Sequence, residues 1–161
     1  MGLFAAEALE RETTVAGVLK QTCEQLTGAL EADACTLSRV IGQLLISLVE
    51  HSRDGRRVRL GRGYLVPDFP LTQEVIDRAE PRTVWLLDPN VDPSEAALLR
   101  ELDFDALLML PLQLDGHCWG LVEVFRSGTR TFDDADAGLA AEVVGHAAEA
   151  IERLQRRAAA A

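Results

Sequence analysis

Cysteine is one of the residues that this sequence uses sparingly. The chain has three, Cys23, Cys35 and Cys118, which is an odd number, and they are far apart in the sequence. None of them forms the closely spaced pair that is typical of zinc sites and redox motifs. The sequence therefore predicts neither a disulfide framework nor a metal site, and reduced, mostly buried thiols are expected.

Positive charge is also in short supply. The 16 lysines and arginines are outnumbered by 26 aspartates and glutamates, so the formal net charge is -10 at pH 7. A protein that neutralises nucleic-acid phosphates needs a broad basic face, and an anionic membrane surface repels a chain of this charge. We therefore expect neither a nucleic acid nor a membrane as a partner.

Long hydrophobic runs are missing as well. The longest uncharged run, residues 40 to 49, is far shorter than the ~20 residues that a membrane-spanning helix needs. The first residues turn acidic without a basic segment, which argues against a secretory signal peptide. Ala6 stands where N-myristoylation favours Ser or Thr. A cytoplasmic location is expected.

A hydrophobic fraction of 48% in 161 residues is nevertheless enough for one substantial core. We predict a single domain over residues 1 to 161, with its core at about 30 to 155. Its central feature is the stretch 104 to 126, FDALLMLPLQLDGHCWGLVEVFR, which predicts two apolar strands at 106 to 114 and 117 to 125. Asp115-Gly116 between them is typical of a tight hairpin turn.

The remaining patterns predict helices at both ends of the chain. Apolar residues at three- and four-residue steps indicate a first helix over about 3 to 31 and a last helix over about 132 to 157. Asp92-Pro93-Ser94-Glu95 is a strong helix start, and Thr131 with Asp134 matches a second capping pattern. Strands are predicted at 34 to 40, 43 to 51, 57 to 66 and 83 to 87, and short helices at 71 to 80 and up to about 102. This order predicts an α+β fold with antiparallel strands.

Four segments, taken together and in order, resemble the GAF domain family. They are LEADACTLSRV at 30 to 40, FPLTQEVIDRAEPRTVW at 69 to 85, LLMLPLQLDGHCWGLVEVF at 107 to 125, and TFDDADAGLAAEVVGHAAEAIERL at 131 to 154. The resemblance implies a GAF-like six-stranded antiparallel sheet with N- and C-terminal helices on one face and a ligand pocket on the other. The resemblance further implies that residues 68 to 102 form the roof of that pocket. Many such domains dimerise through their terminal helices.

The two-residue period of a strand assigns each side chain to one face of the sheet. If Leu108 and Leu110 face the terminal helices, the roof side carries the alternate residues, which are Leu107, Met109, Pro111, Trp119, Leu121, Glu123 and Phe125. In phytochrome-like members of the family these strand positions contact the chromophore, and a roof motif, Asp-Ile-Pro, is similar to Val91-Asp92-Pro93. The sequence has no suitable chromophore-linking cysteine, and Phe125 replaces the family's histidine, which argues against bilin binding.

Glu123 is the most informative single residue because it places a carboxylate in the middle of an apolar strand. A carboxylate buried there without a partner costs several kcal/mol. One interpretation is an ion pair with an arginine such as Arg39 or Arg100, or partial exposure to solvent. The other is that Glu123 anchors a ligand that is cationic or donates hydrogen bonds, or stays neutral with a raised pKa.

The other candidate ligand-binding residues lie on the strands and in the roof. Tyr64 and Trp85 are aromatics that either stack on a planar ligand or fill the core. Asp88 and Asp92 shape the roof loop, and Asp92 is also explained as a helix cap. The full predicted set is Tyr64, Trp85, Asp88, Asp92, Leu107, Met109, Leu121, Glu123 and Phe125.

A basic run stands out against the acidic total and has two interpretations. It is either a solvated hairpin or a docking patch for phosphate or an acidic partner. Its members are Arg53, Arg56, Arg57, Arg59 and Arg62.

No catalytic or metal-binding residues are predicted. His117 beside Cys118 has no third ligand at a recognisable spacing and no catalytic partner. One class of GAF-fold enzyme reduces free methionine sulfoxide with cysteines clustered over the pocket. Here Cys23 and Cys35 fall in the first helix and the first strand instead.

The leading hypothesis is a non-catalytic sensory or regulatory domain with a mostly apolar pocket for a small molecule. Ligand binding would shift the terminal helices of a homodimeric helix bundle and so signal to a separate partner protein. The alternatives are a dimerisation or protein-docking module without a small ligand and, less favoured, a thiol enzyme such as a free methionine sulfoxide reductase. The identities of the ligand, any cofactor and the partner stay open at this point.

Overall fold

The computed structural model describes the backbone of residues 2 to 161 and the side chains of residues 6 to 161. The strands are β1 (Ala34–Ile41), β2 (Leu44–Ser52), β3 (Gly63–Leu65), β4 (Arg82–Trp85), β5 (Ala106–Leu114) and β6 (His117–Arg126). The helices are α1 (Gly2–Glu10), α2 (Val15–Ala29), α3 (Pro70–Arg78), α4 (Pro93–Leu102) and α5 (Asp134–Ala160), with a 3-10 helix at Val66–Asp68. The strands form one antiparallel sheet in the order β3-β2-β1-β6-β5-β4. The predicted six-stranded α+β fold is confirmed.

The central hairpin forms as predicted. Asp115 and Gly116 both have positive φ, 50° and 78°, as the favoured two-residue hairpin turn requires. The hairpin pairs β5 with β6 along their whole length, and β1 extends the sheet on the other edge of β6. These three strands therefore form the middle of the sheet.

Two separate cores lie on the two faces of the sheet. On one face, Leu108 and Leu110 pack with residues of α1, α2 and α5, and this cluster is called the helix-side core. On the other face, Leu107 and Met109 pack with residues of α3 and α4, and this cluster is called the roof-side core. The predicted facing of these four β5 residues is confirmed. The term roof is used below for residues 70 to 102, which run from the start of α3 to the end of α4.

The facing predicted for Trp119 is wrong. The register of the hairpin shifts between Leu112 and Gln113, so that Trp119 is an extra residue in β6. Such a bulge interrupts the alternation of side chains along a strand. Trp119 consequently packs against the helix-side core, and the guanidinium of Arg39 lies 4.6 Å from the centre of its ring.

The predicted N-terminal helix of about 3 to 31 is two helices in the structure. Thr14 is the N-cap of α2, and its hydroxyl accepts a hydrogen bond from Gly17 N at 3.0 Å. A β-branched residue with a capping hydroxyl favours a new helix start over continuation of the helix before it. Leu9 of α1 is still fully buried in the helix-side core, so the first helix belongs to the packed domain.

The predicted strand from 57 to 66 is also mostly absent, because β3 has three residues only. The carboxylate of Glu50 accepts hydrogen bonds from Val58 N at 2.7 Å and from Arg59 N at 2.9 Å. These bonds satisfy backbone groups that a strand would pair with its neighbour. The segment between β2 and β3 thus runs as an irregular loop, the 53–62 loop, which turns Arg59 inward.

The helix starts agree with the sequence in one case and differ in the other. Asp92 caps α4 as predicted, with its carboxylate accepting from Glu95 N at 3.2 Å. The capping pattern at Thr131 and Asp134 is wrong, because Asp133 is the N-cap of α5 and forms a capping box with Asp136. Among the described residues, no helix has the length and apolar character needed to span a membrane.

Candidate functional site

The predicted carboxylate Glu123 lies in the middle of β6 and is 1% exposed. Its Oε1 accepts a hydrogen bond from a guanidinium nitrogen of Arg59 at 2.6 Å. The expected type of partner is therefore present, but the predicted partners Arg39 and Arg100 are wrong. Arg39 donates to the backbone oxygens of Val40 and Trp119 instead, because it alternates along β1 with Cys35 and Leu37 and so faces the helix-side core.

Arg59 enters the site from the 53–62 loop and is 2% exposed. The bonds from Val58 N and Arg59 N to Glu50 fix the loop beside β2. The guanidinium of Arg59 also lies 3.8 Å from the centre of the Tyr64 ring, a favourable cation–π arrangement. The interpretation of the basic run as a wholly solvated hairpin is consequently wrong for this arginine.

The electrostatics of Glu123 are a balance between burial and pairing. Burial raises the pKa of the Glu123 carboxyl above its usual value, and Arg59 opposes that shift. Removing two charges from water is costly unless the geometry is good and the remaining atoms are bonded. The Arg59 Nε has no hydrogen-bond partner. The pair is thus only partly satisfied by the protein.

A second buried carboxylate, Glu95, was missed by the sequence analysis as a site residue. It is 0% exposed, and its Oε1 accepts from the Thr72 hydroxyl at 2.5 Å, which links α4 to α3. Burial raises the pKa of Glu95 to about 7. Its position three residues after a helix cap predicted a capping role. The signal for burial was the spacing, since Glu95 shares the stripe of Leu98, Leu99 and Leu102 on α4.

Three strand hydroxyls form a polar strip on the roof face of the sheet. Thr36 is opposite Glu123 in the β1–β6 ladder, and Ser38 is opposite Ser47 in the β1–β2 ladder. All three are buried, and their hydroxyl oxygens have no hydrogen-bond partner. The same holds for Tyr64 OH and Glu95 Oε2. The term polar cluster is used below for Thr36, Ser38, Ser47, Arg59, Tyr64, Glu95 and Glu123.

The apolar residues predicted for the site lie around the polar cluster. Leu107, Met109, Leu121 and Phe125 are fully buried in the roof-side core. Phe125 stacks on Phe104 of the same core with ring centres 4.9 Å apart.

Three predicted site residues lie elsewhere. Trp85 packs against the helix-side core, because its partner in the ladder is Ala106 of that core. Asp88 is exposed, and its carboxylate accepts from Asn90 N at 2.9 Å. The carboxylate of Asp92 caps the N-terminus of α4 by accepting from Glu95 N. The structure therefore groups Tyr64, Leu107, Met109, Leu121, Glu123 and Phe125, and leaves Trp85, Asp88 and Asp92 outside.

The cysteines do not converge on the site. Cys23 and Cys35 are buried in the helix-side core, and Cys118 is half-buried near the start of β6 with its thiol 3.4 Å from Gly120 O. Among the described residues, no group of three or more His, Cys, Asp or Glu side chains has a metal-binding arrangement.

The comparison with protein families decides the assignment. A family model described as "GAF domain" matches residues 15 to 151. The chain belongs to the GAF domain family. The polar cluster lies on the face of this GAF domain that the resemblance predicted for a ligand pocket. A comparison with curated protein sequences gave no match.

Solved GAF structures share the fold at low sequence identity. The phycoerythrobilin-bound GAF domain from a cyanobacterial phytochrome has a TM-score of 0.85 at 15% identity, over 97% of this chain and 95% of that chain. The blue-light absorbing form of the PixJ GAF domain of Thermosynechococcus elongatus has a TM-score of 0.79 at 14% identity, over 91% and 89%. The chromophore-binding domain of a bacteriophytochrome from R. palustris has a TM-score of 0.82 at 12% identity, over 97% and 61%.

Proposed function

We propose that this GAF domain is a non-catalytic sensory module that binds a small molecule between the sheet and the roof. The observation that carries this function is the polar cluster, in which six buried polar atoms lack hydrogen-bond partners. These atoms are Thr36 Oγ1, Ser38 Oγ, Ser47 Oγ, Arg59 Nε, Tyr64 OH and Glu95 Oε2.

The energetics support a binding role for these atoms. A buried polar group without a partner costs about 1–3 kcal/mol, and such groups are rare in folded proteins. Several of them on one face of the sheet are a poor way to stabilise a fold. A polar ligand that bonds to them recovers that free energy on binding, and the surrounding Leu107, Leu121 and Phe125 supply apolar contact.

The proposed ligand is not a covalently attached bilin, although the solved relatives named above include bilin-bound domains. Cys23 and Cys35 lie in the helix-side core, on the face of the sheet opposite the polar cluster. Phe125, which replaces the family's histidine, stacks on the ring of Phe104. A buried arginine and two buried carboxylates favour a compact polar ligand over a large apolar chromophore.

Signalling is proposed to pass through a homodimer to a separate partner protein in the cytoplasm, with residues 1 to 161 acting as one domain. The terminal helices pack together on one face, where α5 contacts both α1 and α2. Gly138, Ala141 and Gly145 are exposed on α5, and small residues allow a second helix to approach closely. A Cβ added at Gly145 or at Gly28 of α2 meets no atom within 4 Å.

Sedimentation analysis of two leucine variants tests the dimer. Gly145→Leu is expected to shift the 17.6 kDa chain from dimer to monomer while it keeps its fold. Gly28→Leu is the matched control and is expected to stay dimeric. A wild-type chain that sediments as a monomer at every concentration contradicts the dimer, and so does a dimer that Gly145→Leu leaves unchanged.

A docking module without a ligand is the second candidate, and one observation favours it. The Arg59 side chain already lies under the roof between Glu123 and Tyr64, so the protein's own side chains occupy part of the site. In that case the polar cluster would serve only to specify the fold. A thiol enzyme has no comparable support, because the thiols of Cys23 and Cys35 lie on the face of the sheet opposite the polar cluster.

A thermal-shift screen of small molecules on two threonine variants separates these candidates. Thr36→Val removes a hydroxyl without a partner, whereas the control Thr22→Val removes a buried hydroxyl that donates to Val18 O at 2.7 Å. We expect Thr36→Val to raise the unliganded stability by about 1 kcal/mol and to weaken ligand-induced stabilisation. Thr22→Val is expected to lower stability and to keep the ligand response. A screen with no hit, or hits that Thr36→Val leaves unchanged, contradicts the sensory function.

A further inference from the structure

The charges beneath the roof do not balance. Two carboxylates, Glu95 and Glu123, are buried there with one guanidinium, that of Arg59. Arg59 donates to Glu123, and among the described residues no basic side chain forms an ion pair with Glu95. The other fully buried arginine, Arg126, bonds to Leu30 O, Thr131 O and Asp136 instead. The site thus holds one more acidic group than basic groups.

Glu95 is also incompletely bonded. Its Oε1 accepts from Thr72, while Oε2 is buried without a partner. A carboxylate oxygen accepts hydrogen bonds and cannot donate them unless it is protonated. The groups that act on Glu95 are Thr72 on α3, Asp92 on α4, Glu123 on β6 and Arg59 in the 53–62 loop. Of these, the acidic Glu123 and Asp92 both disfavour its charged form, as does burial.

The hydroxyls of the polar cluster do not determine whether a ligand donates or accepts hydrogen bonds. Thr36, Ser38, Ser47 and Tyr64 can each donate or accept. In its ionised form Glu95 accepts only, and the excess acidic charge repels an anion brought into a water-poor site. Charge-assisted hydrogen bonds from an N–H cation to a carboxylate are about twice as strong as neutral ones. The chemistry of the site therefore selects a ligand with N–H donors and positive charge.

We propose that the polar cluster binds a small organic cation, an amine, amidine or guanidine, whose N–H groups donate to Glu95 Oε2. This ligand class rests on the proposed sensory function and specifies its chemistry. Because Glu95 and Thr72 belong to the roof while Glu123 and the strand hydroxyls belong to the sheet, such a ligand ties the roof to the sheet. The cation binds the ionised form of Glu95. Binding at neutral pH therefore releases a proton from those molecules in which Glu95 is protonated.

Isothermal titration calorimetry of the full chain with matched probes tests this proposal. The cations are methylguanidine, agmatine and benzamidine, and the matched neutral and anionic probes are benzamide and benzoate. At least one cation is expected to bind, and benzamidine is expected to bind at least tenfold more tightly than benzoate. No saturation by any of the three cations up to 10 mM overturns the proposal, as does tighter binding of benzoate than of benzamidine.

The pH dependence of cation binding identifies Glu95 as the group responsible. With a pKa of about 7, the ionised fraction of Glu95 rises about tenfold from pH 6 to pH 8, and affinity rises by the same factor. Titrations in buffers of different ionisation enthalpy are expected to show release of about half a proton at pH 7. Glu95→Gln is expected to abolish both effects, and Glu142→Gln, at an exposed position on α5, to keep them.

The failure of this proposal is distinguishable from failure of the sensory function. A neutral or anionic hit from the thermal-shift screen that depends on Thr36 leaves the sensory function intact and overturns the proposal of a cationic ligand. Affinity for a cation that does not change with pH in the wild-type chain also overturns the role of Glu95, and this readout needs no variant to fold.

Discussion

The guanidinium of Arg59 donates to Glu123 Oε1 at 2.6 Å, across 64 positions of sequence. Arg59 comes from an irregular loop, whereas Glu123 lies in the middle of the central hairpin. The contact therefore ties the 53–62 loop to the centre of the sheet. Neither charge is tolerated at this depth without the other, since an uncompensated buried charge is strongly destabilising.

Loss of one member of this pair is expected to cost more than loss of both. Arg59→Met leaves the Glu123 carboxylate buried without a partner, and we expect the free energy of unfolding to fall by about 3–5 kcal/mol. The double variant Arg59→Met with Glu123→Leu removes both charges and is expected to recover most of that loss. Urea unfolding of the wild type and of the variants measures both effects.

The control for this experiment is Arg57→Met, two residues away on the same loop. Arg57 is exposed, so its loss is expected to change stability by less than about 0.5 kcal/mol. Equal losses in Arg59→Met and Arg57→Met, or a double variant no more stable than Arg59→Met, would show that the ion pair is not buried as described.

The pKa of Glu95, raised by burial from 4.5 to about 7, makes stability depend on pH. The folded state binds this proton more tightly than the unfolded state, so the contribution of Glu95 falls as pH rises from about 4.5 to 7 and is constant above that. Glu95→Gln carries no such group. Its stability relative to the wild type is expected to rise by up to about 3 kcal/mol between pH 5 and pH 8.

Chemical denaturation at a series of pH values checks this expectation. Glu142→Gln, exposed on α5, provides the reference and is expected to track the wild type throughout. A difference between Glu95→Gln and the wild type that stays constant from pH 5 to pH 8 would mean that Glu95 is not a titrating buried group.

Strand periodicity was sufficient to assign the faces of β5, because Leu107, Met109, Leu108 and Leu110 alternate without interruption. The same rule failed for Trp119, because a bulge is a local exception that leaves no clear mark in the sequence. Periodicity predicts the facing of side chains only where the geometry of the strand is regular.

The partner of Glu123 could not be predicted in this way. Arg59 reaches it because Glu50 bonds to the backbone of the 53–62 loop, and that path depends on tertiary contacts between distant residues. Glu95 was predictable from the stripe it shares with Leu98 and Leu99 on α4, but its position three residues after Asp92 was interpreted only as part of a helix start. The partnerless hydroxyls of Thr36 and Ser38 are visible only once the sheet is assembled.

Gly120 is expected to tolerate no side chain. A Cβ at this position would lie 2.7 Å from Ser38 O in the adjacent strand, and backbone there can move only by disturbing the β1–β6 ladder. Gly120→Ala is expected to lower the free energy of unfolding by about 1–3 kcal/mol. Thermal unfolding of Gly120→Ala and of the control Gly28→Ala makes the comparison.

The control is expected to move in the opposite direction. Gly28 is exposed near the end of α2 with no atom within 4 Å of an added Cβ, so Gly28→Ala gains helix propensity of about 0.5–1 kcal/mol. If Gly120→Ala is as stable as the wild type, the two strands are not as close at this point as the structure has them.

The three cysteines are expected to differ in reactivity. Cys23 and Cys35 are fully buried, whereas Cys118 is half-buried. Burial raises the pKa of the Cys35 thiol well above its usual value and that of Cys118 less strongly, so Cys118 is expected to react at least about tenfold faster with iodoacetamide. Timed labelling followed by peptide mass spectrometry measures each rate.

A Cys118→Ser variant is expected to lose the fast phase of this labelling entirely. Labelling of Cys23 or Cys35 at the rate of Cys118 in the native protein would mean that the helix-side core opens readily, which is inconsistent with its packing against α1, α2 and α5.

The most direct test of the binding site follows the side-chain carboxyl carbon of Glu95 by NMR, with Glu95→Gln used to assign the resonance. Without ligand, we expect this resonance to titrate near pH 7. A saturating ligand is expected to move the resonance, and a cation to shift its titration to lower pH. A ligand that saturates the protein and leaves the Glu95 resonance and its titration unchanged would contradict binding at the polar cluster.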